Sequence, residues 1–152
     1  MATANPYHAP KANVQRDQGK EYGKVEVFSI SGRIGRLRYI GYSIGLSMLI
    51  GMLTASIGGA IGGAVGVGTV VAGWVMIIVV NIMLSIQRAH DFNTTGWLSI
   101  VGLVPLVGLA FWFVPGTDGE NEYGMETPPN GAGTIILVSI VPVVAVIGIL
   151  AA

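Results

Sequence analysis

From Tyr39 to Ile86 the chain runs for 48 residues without a formal charge. As one helix, at about 1.5 Å per residue, this stretch would be about 72 Å long, more than twice a hydrocarbon core of about 30 Å. It therefore divides into two spans of about 20 residues joined by a tight hairpin. Glycines concentrate in Ser56–Gly68, SIGGAIGGAVGVG. The hairpin is expected near residues 58–66, with span one at about 39–57 and span two at about 67–86.

The same logic places span three at about 97–114, with Pro105 in its middle, and span four at about 132–152, with Pro142 in its middle. Each proline removes a backbone hydrogen bond, so a kink is predicted at each. The alternative for span three is a broken or re-entrant element, which its 18 residues and central LVPLVG permit. The predicted fold is all-α: a polytopic membrane protein with about four transmembrane helices in a small bundle. Residues 1–27 read as a mobile cytoplasmic tail and 28–152 as the membrane domain. Ser31 is the candidate N-cap of the first helix, and Val25–Ile30 a short extended or interfacial segment. Composition agrees: 52% of residues are hydrophobic and 11% charged, against about 25% charged in soluble proteins.

A net charge of zero conceals a strong polarity. Residues 1–38 hold seven of the eight Lys and Arg. The stretch Asp118–Glu126 holds four acids and no base. The positive-inside rule then puts the N-terminus in the cytoplasm. Counting four spans, the turn with Arg88, His90 and Asp91 lies inside and the acidic loop outside. The basic residues are expected to meet anionic headgroups at the cytoplasmic face, at about 1 kcal/mol each.

Candidate chemistry is sparse. There are no cysteines, which removes disulfides, thiolate zinc sites and thiol nucleophiles. Catalytic zinc needs about three protein ligands, and the one histidine besides His90 is His8, in the tail. Residues 115–124, PGTDGENEYG, depart from the EF-hand pattern, with Tyr123 at its glycine position. Neither phosphate-binding loop nor nucleic-acid patch fits GRIGRLR as it enters the bilayer. No catalytic residue, metal or cofactor is expected, and the chain reads as no enzyme. Gly58, Gly62 and Gly66 form a GxxxG ladder, read as packing within one chain, with homo-oligomerisation the alternative. Asp91 is expected to pair with Arg33 or Arg36, which the topology sets at the same depth.

Three motifs stand in order: GRIGRLRY, RAHD followed by GW, and PGTDGENEYG. Together they resemble the bacterial inner-membrane family known as domain of unknown function 805. The resemblance covers Phe28–Gly124 and falls on Gly32, Arg33, Arg36 and Tyr39; on Arg88, His90, Asp91, Gly96 and Trp97; and on Pro115, Gly116, Asn121, Tyr123 and Gly124. Many relatives carry a second basic residue where Gln87 stands, Leu at Ala89 and a base at Glu122. The resemblance implies a fold and no activity. The expected function is a non-catalytic interaction or envelope-maintenance role with a membrane or envelope protein partner, the alternative being an oligomeric small channel or transporter.

Overall fold

The computed structural model describes residues 21–102 and 104–150. Helix α1 is Arg36–Ile61, α2 Gly63–Asp91, α3 Leu98–Gly102, α4 Pro105–Phe113 and α5 Ala132–Leu150. The described residues contain no strand, and Asn121 and Gly124 form an isolated bridge. With 26 and 29 residues, α1 and α2 are about 39 Å and 43 Å long. Both are long and apolar enough to cross a membrane. Their large side chains, among them Leu49, Met52, Leu53, Val65, Val71 and Trp74, point outwards and are more than half exposed. An apolar belt of this kind exceeds the patches that soluble monomers present to water.

The hairpin is tighter than the glycine run suggested. Gly62 alone separates α1 from α2. Gly62 and Gly63 have φ of 67° and 58°, a region that only glycine enters without strain, so the turn needs no longer loop. Below it the helices stay in antiparallel register along one stripe of α1. Tyr39 Oη meets Ser85 Oγ at 3.1 Å. Ser43 and Ser47 both bond the Asn81 amide, the latter accepting from Nδ2 at 2.9 Å. Gly73 sits against Thr54, and Gly58 against Gly66, backbone to backbone. These positions on α1 recur at spacings of four or seven residues, one face of a helix. Two glycines of the ladder, Gly58 and Gly66, thus pack on each other within the chain, while Gly62 makes the turn.

Span three is not one helix. Residues 98–113 form α3 of five and α4 of nine residues, and nine residues reach about 14 Å, less than half a hydrocarbon core. Pro105 starts α4, where its missing N–H costs nothing, and so ends one helix and begins another instead of kinking one. The two fold back on each other. A Cβ at Gly108 would lie 2.6 Å from the Gly102 carbonyl oxygen, and one at Gly102 would lie 2.8 Å from the Phe111 ring. The pair enters and leaves at the C-terminal end of α2, where Thr94 N–H donates to Ala89 O at 3.1 Å and Arg88 Nη2 to Val114 O at 2.5 Å.

α5, with Pro142 within it, starts at that same end. Arg38 of α1 donates to the carbonyls of Pro128 and Pro129 at 2.6 and 2.7 Å. Gly41 packs against Leu137 and Val138, so α5 runs parallel to α1. The buried core, Ile34, Tyr39, Val80, Leu84, Ala89 and Phe111, lies at this end too. So do all described Lys and Arg: Lys24, Arg33, Arg36, Arg38 and Arg88.

Two boundary expectations need correction. The part of the expected mobile tail within the described residues, 21–27, is held in place: Gly23 N–H donates to Glu126 O at 3.0 Å, Gln87 Nε2 to Glu26 O at 2.8 Å, and Val25 and Val27 pack on the core. The rest of that tail, residues 1–20 with His8, lies outside the described residues, as do Ala151 and Ala152 of the expected span four. Ser31 caps no helix. Its hydroxyl pairs with Ser29, and α1 begins at Arg36 behind Gly35, because Ile34 is drawn into the core and its N–H bonds Gln87 O at 3.3 Å.

Candidate functional site, an arginine–aspartate knot

The last turn of α2 carries Arg88 and Asp91, three residues apart and so on one face. Gly32, with φ of 80°, turns the chain so that Arg33 reaches the same point. Asp91 Oδ1 accepts from Arg33 Nε at 3.1 Å and Nη2 at 3.0 Å. Its Oδ2 accepts from Arg88 Nη1. The side chains of Arg33, Arg88 and Asp91 are 1%, 0% and 5% exposed. Burial of this kind needs every donor engaged, and the remaining guanidinium donors go to carbonyls.

Those carbonyls explain why the loops fold as they do. Arg88 Nε bonds Phe111 O at 3.0 Å and Nη2 Val114 O at 2.5 Å. Arg36 Nη1 adds Phe113 O at 3.3 Å. The last turn of α4, whose carbonyls have no partner within the helix, is thus closed by cations, which its dipole favours. Arg33 in turn gathers the acidic loop, donating to Thr117 O at 2.5 Å, Gly119 O at 2.6 Å and Gly124 O at 3.2 Å. The Arg88 guanidinium also lies 4.4 Å from the centre of the Phe92 ring, a cation–π contact.

The end of α2 is closed from the loop as well. Thr117 N–H and Oγ1 donate to Asp91 O at 2.8 and 3.1 Å. Asn121 Nδ2 donates to His90 O at 2.9 Å. The His90 ring stacks on Tyr123 at 4.0 Å and 7°, and its Nδ1 bonds Gly32 O at 3.1 Å. A Cβ at Gly116 would overlap the Asp91 carboxylate, so only glycine lets the loop pass there. The acidic loop was expected on the opposite face from Arg88–Asp91; instead it is bonded to that turn. Span counting failed because α3 and α4 fold back.

Of the residues singled out by motif, Gly32, Arg33, Arg88, His90, Asp91, Gly116, Asn121, Tyr123 and Gly124 meet in this knot. Arg36 does not pair with Asp91; Arg33 and Arg88 do. Tyr39 lies one layer below, its ring 6.1 Å from Phe111. Gly96 packs against Ile86 and His90. Pro115 is exposed on the loop, and Trp97, 75% exposed, points away. Sequence reasoning did not single out Thr117, Phe111, Arg38 or the working role of Gln87, whose Nε2 holds Glu26 O and Ser29 O at 2.8 and 2.6 Å. Thr117, beside the Pro-Gly pair, was the most legible of these.

The sequence profile of a family described as "Protein of unknown function (DUF805)" matches residues 27–125. The chain belongs to this family. No curated protein and no solved structure matches the chain. The DUF805 region begins where Val27 packs on the core and ends just past Gly124, whose carbonyl Arg33 holds. It therefore contains the complete knot and stops before α5. No described buried side-chain nitrogen or oxygen lacks a hydrogen-bond partner. Chemically, the DUF805 knot joins three separate chain segments, residues 32–36, 88–92 and 111–124, and leaves Asp91 no oxygen clear of a guanidinium.

Proposed function

We propose that this chain is a non-catalytic, multi-pass protein of a bacterial inner membrane that acts by presenting one polar cap to a protein partner. In this reading α1, α2 and α5 cross the bilayer and α3–α4 is a re-entrant pair. The closure of the motif residues on one another carries the reading: Arg33, Arg88 and Asp91 spend their polar atoms inside the protein, which suits a scaffold. The loop of the cap offers acids outwards, with Asp118, Glu120 and Glu122 exposed beside the exposed Lys24 and Arg36. The partner surface is accordingly basic. Clustering of the described Lys and Arg at the cap supports a cytoplasmic position for it and for the N-terminus.

The chain has no native cysteine, so single cysteines report topology cleanly. Ile61→Cys, at the hairpin, and Leu150→Cys, at the far end of α5, are expected to react with an impermeant thiol reagent in intact cells. Glu120→Cys is expected to react only after permeabilisation. Labelling of Glu120→Cys from outside would invert the proposed orientation.

In liposomes the purified protein is expected to give no ion or small-solute flux above empty vesicles. The Asn81 amide, the polar group a conduction path would use, is occupied by Ser43, Ser47 and the Ile77 carbonyl. Selective flux that Asn81→Val abolishes would replace this reading with a channel.

A further inference from the structure

Beside the knot, between the C-terminal half of α2 and α3, lies an open cavity of about 410 Å³, within the range of about 300–1,000 Å³ typical of small-molecule sites. Its wall on α2 is Ile82, Ile86 and His90. They are spaced four residues apart and form one stripe that climbs about 12 Å along the helix. Opposite them stand Ile100, Thr95 and Trp97. The groove is apolar along its length and polar at the top, level with the knot. Trp97, 75% exposed, flanks that top, the depth at which tryptophan collects in membrane proteins.

His90 is unusually well defined there. Gly32 O can only accept, so the 3.1 Å contact places the hydrogen on Nδ1. In the neutral ring Nε2 is then an acceptor. The ring is held flat against Tyr123, which fixes where Nε2 points. A Cβ at Gly96 would lie 3.3 Å from Nε2 and 2.9 Å from Ile86 Cγ2. The absence of a side chain at Gly96 thus keeps the head of the groove open beside Nε2.

We propose that this groove binds one membrane phospholipid, its acyl chain along Ile82, Ile86 and Ile100 and a hydrogen-bond-donating headgroup at His90 Nε2. A hydroxyl or an ammonium supplies that donor; a bare phosphodiester or a trimethylammonium does not. The vertical change from an apolar wall to a polar head, where His90 stands with the Thr95 and Ser99 hydroxyls, matches an amphiphile standing in a leaflet, whereas a soluble ligand would leave the isoleucine wall uncovered. The inference rests on the membrane placement proposed above, which the cysteine labelling tests separately.

The test uses the delipidated full chain in mild detergent and four lipids of identical acyl chains, read by native mass spectrometry. Phosphatidylglycerol and phosphatidylethanolamine carry a donor, with and without net charge. Phosphatidylmethanol and phosphatidylcholine lack one, likewise with and without net charge. The two donor lipids are expected to be retained about 5-fold over the other two, the effect of about one hydrogen bond. Ile100→Trp, which fills the groove away from the knot, is expected to abolish retention while leaving the melting temperature unchanged. His90→Phe keeps the ring stack and is expected to erase the preference among headgroups. Retention that follows negative charge regardless of donor would assign the lipid to the arginines and overturn the proposal. Equal retention of all four, or undiminished binding to Ile100→Trp, would overturn it as well.

Discussion

Asp91→Ala is expected to destabilise the folded protein by about 3–5 kcal/mol, the cost of breaking a buried ion pair from one side. The carboxylate is the single anion shown paired with two guanidiniums that are 1% and 0% exposed. Its removal leaves Arg33 and Arg88 facing each other with carbonyl dipoles alone. Denaturant or thermal unfolding in detergent measures the loss. Glu122→Gln, on the exposed loop, should stay within about 0.5 kcal/mol and serves as the control. Exchanging charges by Asp91→Arg with Arg33→Asp should not restore stability. The exchanged pair would still set a cation against Arg88, and the carbonyls of Thr117, Gly119 and Gly124 would lose their donor. Full rescue by that exchange would mean that Asp91 serves Arg33 alone.

Gly66→Val is expected to cost about 1–3 kcal/mol or more through overpacking. A Cβ at Gly66 would overlap the Gly58 carbonyl, with 3.2 Å to its carbon. Both partners are backbone within paired helices, so no side chain can swing aside. The hairpin must open instead, which pulls apart the register that Ser43, Ser47 and Asn81 share lower down. Gly59→Ala is the counter-test. Nothing lies within 4 Å of a Cβ there, and alanine should gain up to about 1 kcal/mol from helix propensity. Equal unfolding midpoints for Gly66→Val and Gly59→Ala would exclude close packing at Gly58–Gly66.

Much of this protein was legible residue by residue. The uncharged stretch from Tyr39 to Ile86 announced two long apolar helices, because transfer of each side chain from water is a local property. The glycine run located the hairpin, because positive φ is also a local demand. The three motifs identified the family and most of the knot. Asp91 could be assigned to an arginine beside Gly32, though not to Arg33 over Arg36 or to Arg88 as well. That choice follows from the direction in which the Gly32 turn aims the next side chain.

What the sequence by itself determined, then, is an apolar helical protein with its charge gathered at identifiable places. Only the tertiary structure decided how those places meet. Hydropathy states that Trp97–Val114 avoids water, and one long helix and a folded-back pair of short ones satisfy that equally. The choice lies in contacts between distant residues: Phe111 against Gly102, Arg88 and Arg36 on the terminal carbonyls of α4, and Arg33 on the loop beyond. One fold-back moves the acidic loop to the same end as the arginines, and every later element is placed by it. Pattern along a chain records what each residue prefers as surroundings; which residues supply those surroundings is a property of the packed molecule.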